Sequence, residues 1–279
     1  MKTRPGWAGR RQVLKAAVVG SLSTLSPFDT GGIPNLWAAP SASRSSIADE
    51  LWTELLDQYL KVDGSFDYRG LAKKSAIRFD ALMTALQPSQ NFSSINHQRA
   101  FFINAYNILC VRLIVDAGVP TKMPEGGLFK KSLYERRDYR IDGRPLSIAE
   151  IEKTILLRRH PDPRLVGALF QGTNNGPGLA RSPFRAQHLG QDLTQAAEEF
   201  LRARQPGSSG QLLNSLDRKK KVLTVSPAFR RLKSIFPQEE DVLSFFARYG
   251  RKSEREFLKS HRIELKFASS SATINQTKK

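Results

Sequence analysis

Apolar residues crowd most densely between Gln98 and Val115, where Phe101, Phe102, Ile103, Tyr106, Ile108, Leu109, Val111 and Ile114 leave no polar face. A helix that is hydrophobic all round belongs at a protein centre or in a membrane. Asn104, Asn107 and Arg112 interrupt this one, and polar groups at bilayer depth are costly. The pattern therefore predicts the buried central helix of a soluble domain, from about Asn96 to Ala117, stopped by Gly118-Val119-Pro120.

Other segments show helical or extended spacing around it. Ser46 caps a helix with Leu51, Trp52, Leu55, Leu56 and Tyr59 on one stripe, and a turn with a short extended piece covers 62–68. A second amphipathic helix turns Phe79, Leu82, Met83 and Leu86 inward and ends before Pro88. Asp142-Gly143 supplies the positive φ angles of a tight hairpin over 139–146. Ser147 and Glu150 then form a capping box that opens a helix carrying Ile151 and Ile155. The apolar run Arg164–Phe170 reads as a buried strand leading into the polar loop 171–178.

Downstream lie a helix from Leu193 to Ala203, a flexible link at 206–210 and a strand at 222–225. Ser226-Pro227 opens a further helix, another covers 241–249, and 257–267 closes the body. These elements predict an α+β class: a helix-rich single domain around a buried central helix, with a small, mainly antiparallel sheet. Its bounds are 48–267, after a breaker-rich linker at 40–47 and before a polar tail at 268–279.

The 279 residues carry a formal net charge of +18. Residues 1–39 resemble a twin-arginine-type signal peptide: Arg10-Arg11 precedes a weakly apolar core, and small residues at Ala38 and Ala39 offer a cleavage site. Removing them takes away five basic residues and Asp29, a net +4, and leaves +14. The expected location is then periplasmic or secreted, with no transmembrane segment in the mature chain. A surface this basic attracts polyanions through fields that salt screens, so the expected partners are an anionic envelope polymer or another envelope protein. Nucleic acid is disfavoured, because the run Arg218-Lys219-Lys220-Lys221 lacks interleaved aromatics.

Candidate chemistry is sparse. The four histidines are scattered, no metal-ligand spacing appears, no cofactor signature is present, and the single Cys110 falls in the apolar run. Asn104 and Asn107 share a helix face. With Tyr106, Glu152 and the loop from Gln171 to Gly178 they form the one constellation of note. Buried amides must be hydrogen-bonded, so they either tie the helix to neighbouring backbone or line a cleft.

The run Ala100-Phe101-Phe102-Ile103-Asn104-Ala105-Tyr106-Asn107 resembles the domain of unknown function 547 family. Trp52-Thr53-Glu54-Leu55-Leu56, Phe66-Asp67-Tyr68, the glycine hairpin, Ile151-Glu152 and the arginine at Arg164 follow the same order, from about Leu51 to Tyr249. The resemblance implies a helix-rich α+β fold with a cysteine-protease-like or transglutaminase-like site. It also implies histidines where this chain has Lys153 and Val166, and cysteines where Gln171 precedes Gly172 and Gly176 precedes Pro177. A thiol nucleophile needs a base; these substitutions remove both. The expected function is a non-catalytic binding or accessory role in the cell envelope. The alternative is a hydrolase or acyl transferase using non-standard residues such as Thr173 or Asn174.

Overall fold

The structure, a computed structural model, describes residues 44–122, 131–206 and 211–277. The expected signal peptide, the start of the linker and most of the 206–210 link lie outside the described residues. The chain over 42–279 is one unit. Helix α1 (Arg44–Tyr59) begins inside the expected linker and buries the anticipated stripe, with Trp52, Leu55, Leu56 and Tyr59 each at most 2 % exposed. A short helix α2 (Tyr68–Lys74) follows; Asp67 caps it by accepting the Gly70 N–H at 2.8 Å. Helix α3 (Ala76–Ala85) turns Phe79, Leu82 and Met83 inward as expected.

Helix α4 (Ile95–Asp116) is the central helix. Every residue from Ala100 to Ile114 is buried except Arg112. Ser94 caps it through the His97 N–H, and Gly118 at φ 77 lets the Val119 N–H reach back to Ile114 O. Four-residue α5 (Lys131–Tyr134) precedes the hairpin β1 (Tyr139–Ile141) and β2 (Arg144–Leu146), whose turn residues Asp142 and Gly143 stand at φ 52 and 76. The capping box holds: Ser147 Oγ accepts the Glu150 N–H, and the Ser147 N–H donates to Glu150 Oε2. The helix it opens is a π-helix, Glu150–Arg159, and not the α-helix expected. Its inward positions are Ile151, Glu152, Ile155 and Leu156.

The run expected as a buried strand is instead a single helical turn, α6 (Leu165–Ala168). Pro163 sets the entry angle, and Asp162 accepts the Arg164 N–H on its side chain and the Leu165 N–H on its carbonyl. Periodicity alone does not separate a buried strand from a buried turn in so short a run. Helix α7 (Leu189–Arg202) starts four residues earlier than expected. Gly167 of α6 lies on it so closely that a Cβ there would stand 2.5 Å from Ala196 O.

Strands β3 (Ser215–Asp217), β4 (Val222–Val225) and β5 (Glu264–Phe267) form the second sheet. β3 pairs with β4 antiparallel, and β5 adds to the other side of β4 in parallel. Helices α8 (Ala228–Arg231), α9 (Glu239–Tyr249) and α10 (Lys252–Ser260) complete the chain order. Two apolar clusters result. One surrounds α4; the other gathers α7, α9, Phe229 and the inner face of the second sheet, and Leu157 and Ile235 touch both.

The stretch after Phe267, expected as a polar tail, returns to the domain. Ile274 and Asn275 are 3 % and 2 % exposed. The Phe66 N–H donates to Asn275 O at 3.0 Å, and Tyr68 OH donates to Asn275 Oδ1 at 2.6 Å. The Ile274 and Asn275 N–H groups also donate to Thr121 O and Gly172 O, so a stretch that composition alone reads as a solvated end has its backbone paired with the domain.

The α6–α7 seam gives a direct test. Gly167→Ala should destabilise the protein by about 1–3 kcal/mol through overpacking. Gly190→Ala, in the first turn of α7 with nothing within 4 Å of the added Cβ, should be neutral or stabilise by up to about 1 kcal/mol. Urea unfolding midpoints at constant m-value read both.

Candidate functional site

The two buried amides of α4, Asn104 and Asn107, are not free to take a ligand. Asn107 Nδ2 donates to Ala168 O at 3.0 Å while its Oδ1 accepts the Phe170 N–H at 2.9 Å. Asn104 repeats the arrangement on Phe184, accepting its N–H and donating to its carbonyl, both at 2.9 Å. Each side chain acts as a stand-in strand, satisfying the donor and acceptor of a segment that has no sheet partner. Asn214 does the same between Phe200 O and the Ser226 N–H. Of the two readings of Asn104 and Asn107, the tie to neighbouring backbone is the arrangement found; Asn104 also reaches a cleft wall, donating to Asp49 Oδ1 at 3.3 Å.

Tyr106 and Glu152 come together on a residue that the sequence reading passed over. Arg231, the last residue of α8, donates to Glu152 Oε2 at 2.5 Å and to Tyr106 OH at 3.0 Å. Tyr134 OH donates to the same carboxylate oxygen at 2.6 Å. Glu152 is 2 % exposed and Arg231 18 %. Burial raises the Tyr106 and Tyr134 hydroxyls well above the usual phenol range. Cys110, one turn along α4 from Tyr106, has its thiol pushed up by the same burial and lies 3.5 Å from Phe170 O. A thiol held protonated in this way is a core group, not a nucleophile. The one signal for Arg231 was a basic residue following the apolar pair Ala228-Phe229 in a proline-opened turn, and nothing distinguished it from Arg230 beside it.

The loop 171–178 is anchored at both ends of its polar run. Gly172 takes φ 68 and its carbonyl accepts the Asn275 N–H; Thr173 Oγ1 donates to Asn175 Oδ1 at 3.3 Å, and Asn175 Nδ2 donates to Ser269 O. Gln171 and Gly176 are neighbours: a Cβ on Gly176 would stand 2.7 Å from Gln171 Cβ and 2.8 Å from its Oε1. The glutamine thus occupies the space that the glycine leaves, and Pro177 beside it is buried. Lys153, at the position where the resemblance implies a histidine, is exposed with its ammonium 5.2 Å above the Tyr134 ring. Val166, the other such position, is 1 % exposed in the second apolar cluster.

Arg164 lies away from these groups. It joins Arg99 on Asp162, at 2.7 and 2.8 Å, and its Nη1 also donates to Gly190 O. Burial acts upward on the Asp162 carboxyl, but the hydrogen bonds from Arg164 and Arg99 outweigh it and hold the group below the usual carboxylate range.

Two clefts open nearby. One of about 550 Å³ has Gly167, Gly176 and Gly178 in its lining and Arg181, Arg202 and Arg204 among its polar groups. The other, about 810 Å³, lies against α1, the N-terminal half of α4 and residues 184–187, with Asp49, His97 and Asn104 in its wall. Glu152, Tyr106 and Arg164 line neither. Among the described residues no group of three His, Cys, Asp or Glu side chains converges in a metal-holding arrangement. No described helix is long and apolar enough to cross a membrane.

The buried ion pair predicts a specific pattern of stability. Glu152→Gln leaves the Arg231 guanidinium without its counter-charge and should cost about 3–5 kcal/mol. Adding Arg231→Met should recover a large part of that loss. Urea denaturation of the two single variants and the double variant measures the coupling; strict additivity would contradict the pairing.

No curated protein and no solved structure matches the chain. Residues 90–201, from the loop before α4 through most of α7, match the model of a family described as "Protein of unknown function, DUF547". The match takes in both amide ties of α4, the Glu152 helix, Arg164 and the Gln171–Pro177 loop, and leaves Arg231 outside. Over these residues the chain is similar to that family, the one that its Phe-Phe-Ile-Asn-Ala-Tyr-Asn helix resembles.

Proposed function

We propose that the protein is exported and serves as a non-catalytic binding or accessory protein of the cell envelope, holding an anionic polymer in the glycine-lined cleft. The observation that carries this reading is the make-up of that cleft. Gly178, where an added Cβ would meet nothing within 4 Å, leaves the backbone open to a ligand, and Arg181, Arg202 and Arg204 supply charge along the cleft. Arg181 is oriented by donating to Val62 O at 2.9 Å, and Arg202 is in contact with Glu198. Guanidinium groups suit carboxylate and phosphate because their donors form a planar fork. The excess of 14 positive charges left after removal of residues 1–39 draws such a polymer toward the surface.

Against a hydrolase or acyl transferase stands the state of the residues it would use. Gln171 fills the space beside Gly176, and the Thr173 hydroxyl is buried and committed to Asn175. An enzyme of that class needs nucleophile, base and oxyanion donors converging on one cleft.

Charge-matched variants separate site binding from general attraction. Changing Arg181, Arg202 and Arg204 together to Gln should weaken binding to soluble polygalacturonate about tenfold or more at 0.1 M salt. Changing Lys219, Lys220 and Lys221 to Gln removes the same charge and should have less than about a threefold effect. Equal losses in the two triple variants would refute the cleft as the binding site. Export is tested apart from this: Arg10→Lys with Arg11→Lys should leave the full-length chain in the cytoplasm of its host, read by fractionation.

A further inference from the structure

Several buried or half-buried carboxylates carry arginines: Glu152 carries Arg231, Asp162 carries Arg99 and Arg164, and Glu150 carries Arg137. Asp49 is different. It stands half-buried on α1 in the wall of the 810 Å³ cleft, and its carboxylate accepts one long hydrogen bond, 3.3 Å, from an Asn104 amide already engaged with Phe184. No arginine or lysine forms an ion pair with Asp49 within 4.0 Å among the described residues.

The surroundings define what could pair with it. Phe101 and Phe184, both buried, line the cleft with Leu86 and Ile108. Such a mixture, apolar walls with a few convergent polar groups, is the usual make-up of a small-molecule site. The charged and titratable groups around Asp49 are Glu50 and Glu54 from α1, His97 from α4 and Arg185 from the segment after Phe184. Glu54 is bonded to Arg78 on the outer side, and His97 Nδ1 lies 3.2 Å from Ser93 Oγ. Arg185 acts on Asp49 through space without an ion pair within 4.0 Å, so the carboxylate remains open to a cation.

We propose that this cleft binds an amphipathic amine, its ammonium group on Asp49 and its apolar body against Phe101 and Phe184. The site shares no lining residue with the arginine-bearing cleft, so the proposal stands independently of the polymer reading. A desolvated carboxylate gains most from a partner that arrives already charged and leaves its tail in apolar surroundings. The same carboxylate is costly in the empty cleft. Burial pushes the Asp49 carboxyl up to about 6, more than Arg185 and the Asn104 amide lower it, and Glu50 adds to the rise. Its folded value lies above the ordinary 3.8. The ionised form therefore destabilises the fold progressively as pH rises from about 4 to about 6, and fully above that.

The test uses three probes of one shape on the full chain, followed by NMR titration: 2-phenylethylamine, 2-phenylethanol and 3-phenylpropanoate. The amine should bind at pH 7.5 with shifts at Asp49, Asn104 and Phe184. It should lose at least tenfold in affinity in Asp49→Asn and at pH 4.5, and should lose less than twofold in Glu50→Gln. The alcohol should bind more weakly and equally to wild type and Asp49→Asn. Thermal unfolding provides a second readout: Asp49→Asn should raise the midpoint at pH 8 and leave it unchanged at pH 4. Absence of saturable amine binding, equal affinity for amine and alcohol, preference for the carboxylate, or equal losses in Asp49→Asn and Glu50→Gln would each overturn the proposal.

Discussion

The rest of the structure depends on a hydrogen-bonding problem solved by side-chain amides. Helix α4 is apolar on nearly all sides, and alongside the helices packed on it the irregular segments at Phe170 and Phe184 cross its surface with no strand to satisfy their backbone. Water is excluded there, and an unpaired buried donor or acceptor costs about 1–3 kcal/mol. Asn107 and Asn104 answer with both ends of their amides, one on the chain leaving α6 and one on Phe184. Three residues apart, they set the spacing of two passing segments along one helix face. The path from α6 to α7, and with it both clefts, follows from those ties.

The second constraint is charge. Glu152 and Arg231 lie between the two apolar clusters, and with Tyr106 and Tyr134 they form a chain of hydrogen bonds joining α4, the π-helix, α5 and α8. Buried ion pairs are weak sources of net stability, because desolvation offsets most of the attraction. They do discriminate between arrangements: any packing of the second cluster that moved α8 would strand two charges in the interior. The short α8 needs such a tether, since its four residues make almost no helix of their own.

Much of this was readable in the residue pattern, and the failures have physical causes. The central helix, the α1 and α3 stripes, the Asp142-Gly143 turn and the Ser147–Glu150 box all rest on local rules, and each is found. The turn at 165–168 was hidden because a fully buried run has no polar face to report its period. The π-winding of 150–159 likewise leaves no local mark. Pairing of Asn104 and Asn107 with backbone was one of two readings open in advance, but their partners were not specified. Arg231, 79 positions from Glu152, was out of reach: a residue whose role is set by a distant partner looks like any other surface arginine. Ile274 and Asn275 failed for the same reason, being polar or isolated in sequence and buried by distant segments around Phe66, Thr121 and Gly172.

That last contact has a consequence for biosynthesis. Phe66 and Tyr68 sit at the start of the chain's first packed layer, yet their backbone and hydroxyl partners are supplied by Asn275, 207 positions beyond Tyr68. Contacts of such long separation form late. A nascent chain emerging from the ribosome can assemble α1 to α4 early, but it leaves Tyr68 without its acceptor until Asn275 has been made and has emerged. Loss of the segment around Ile274 and Asn275 would therefore uncover the Phe66–Tyr68 turn.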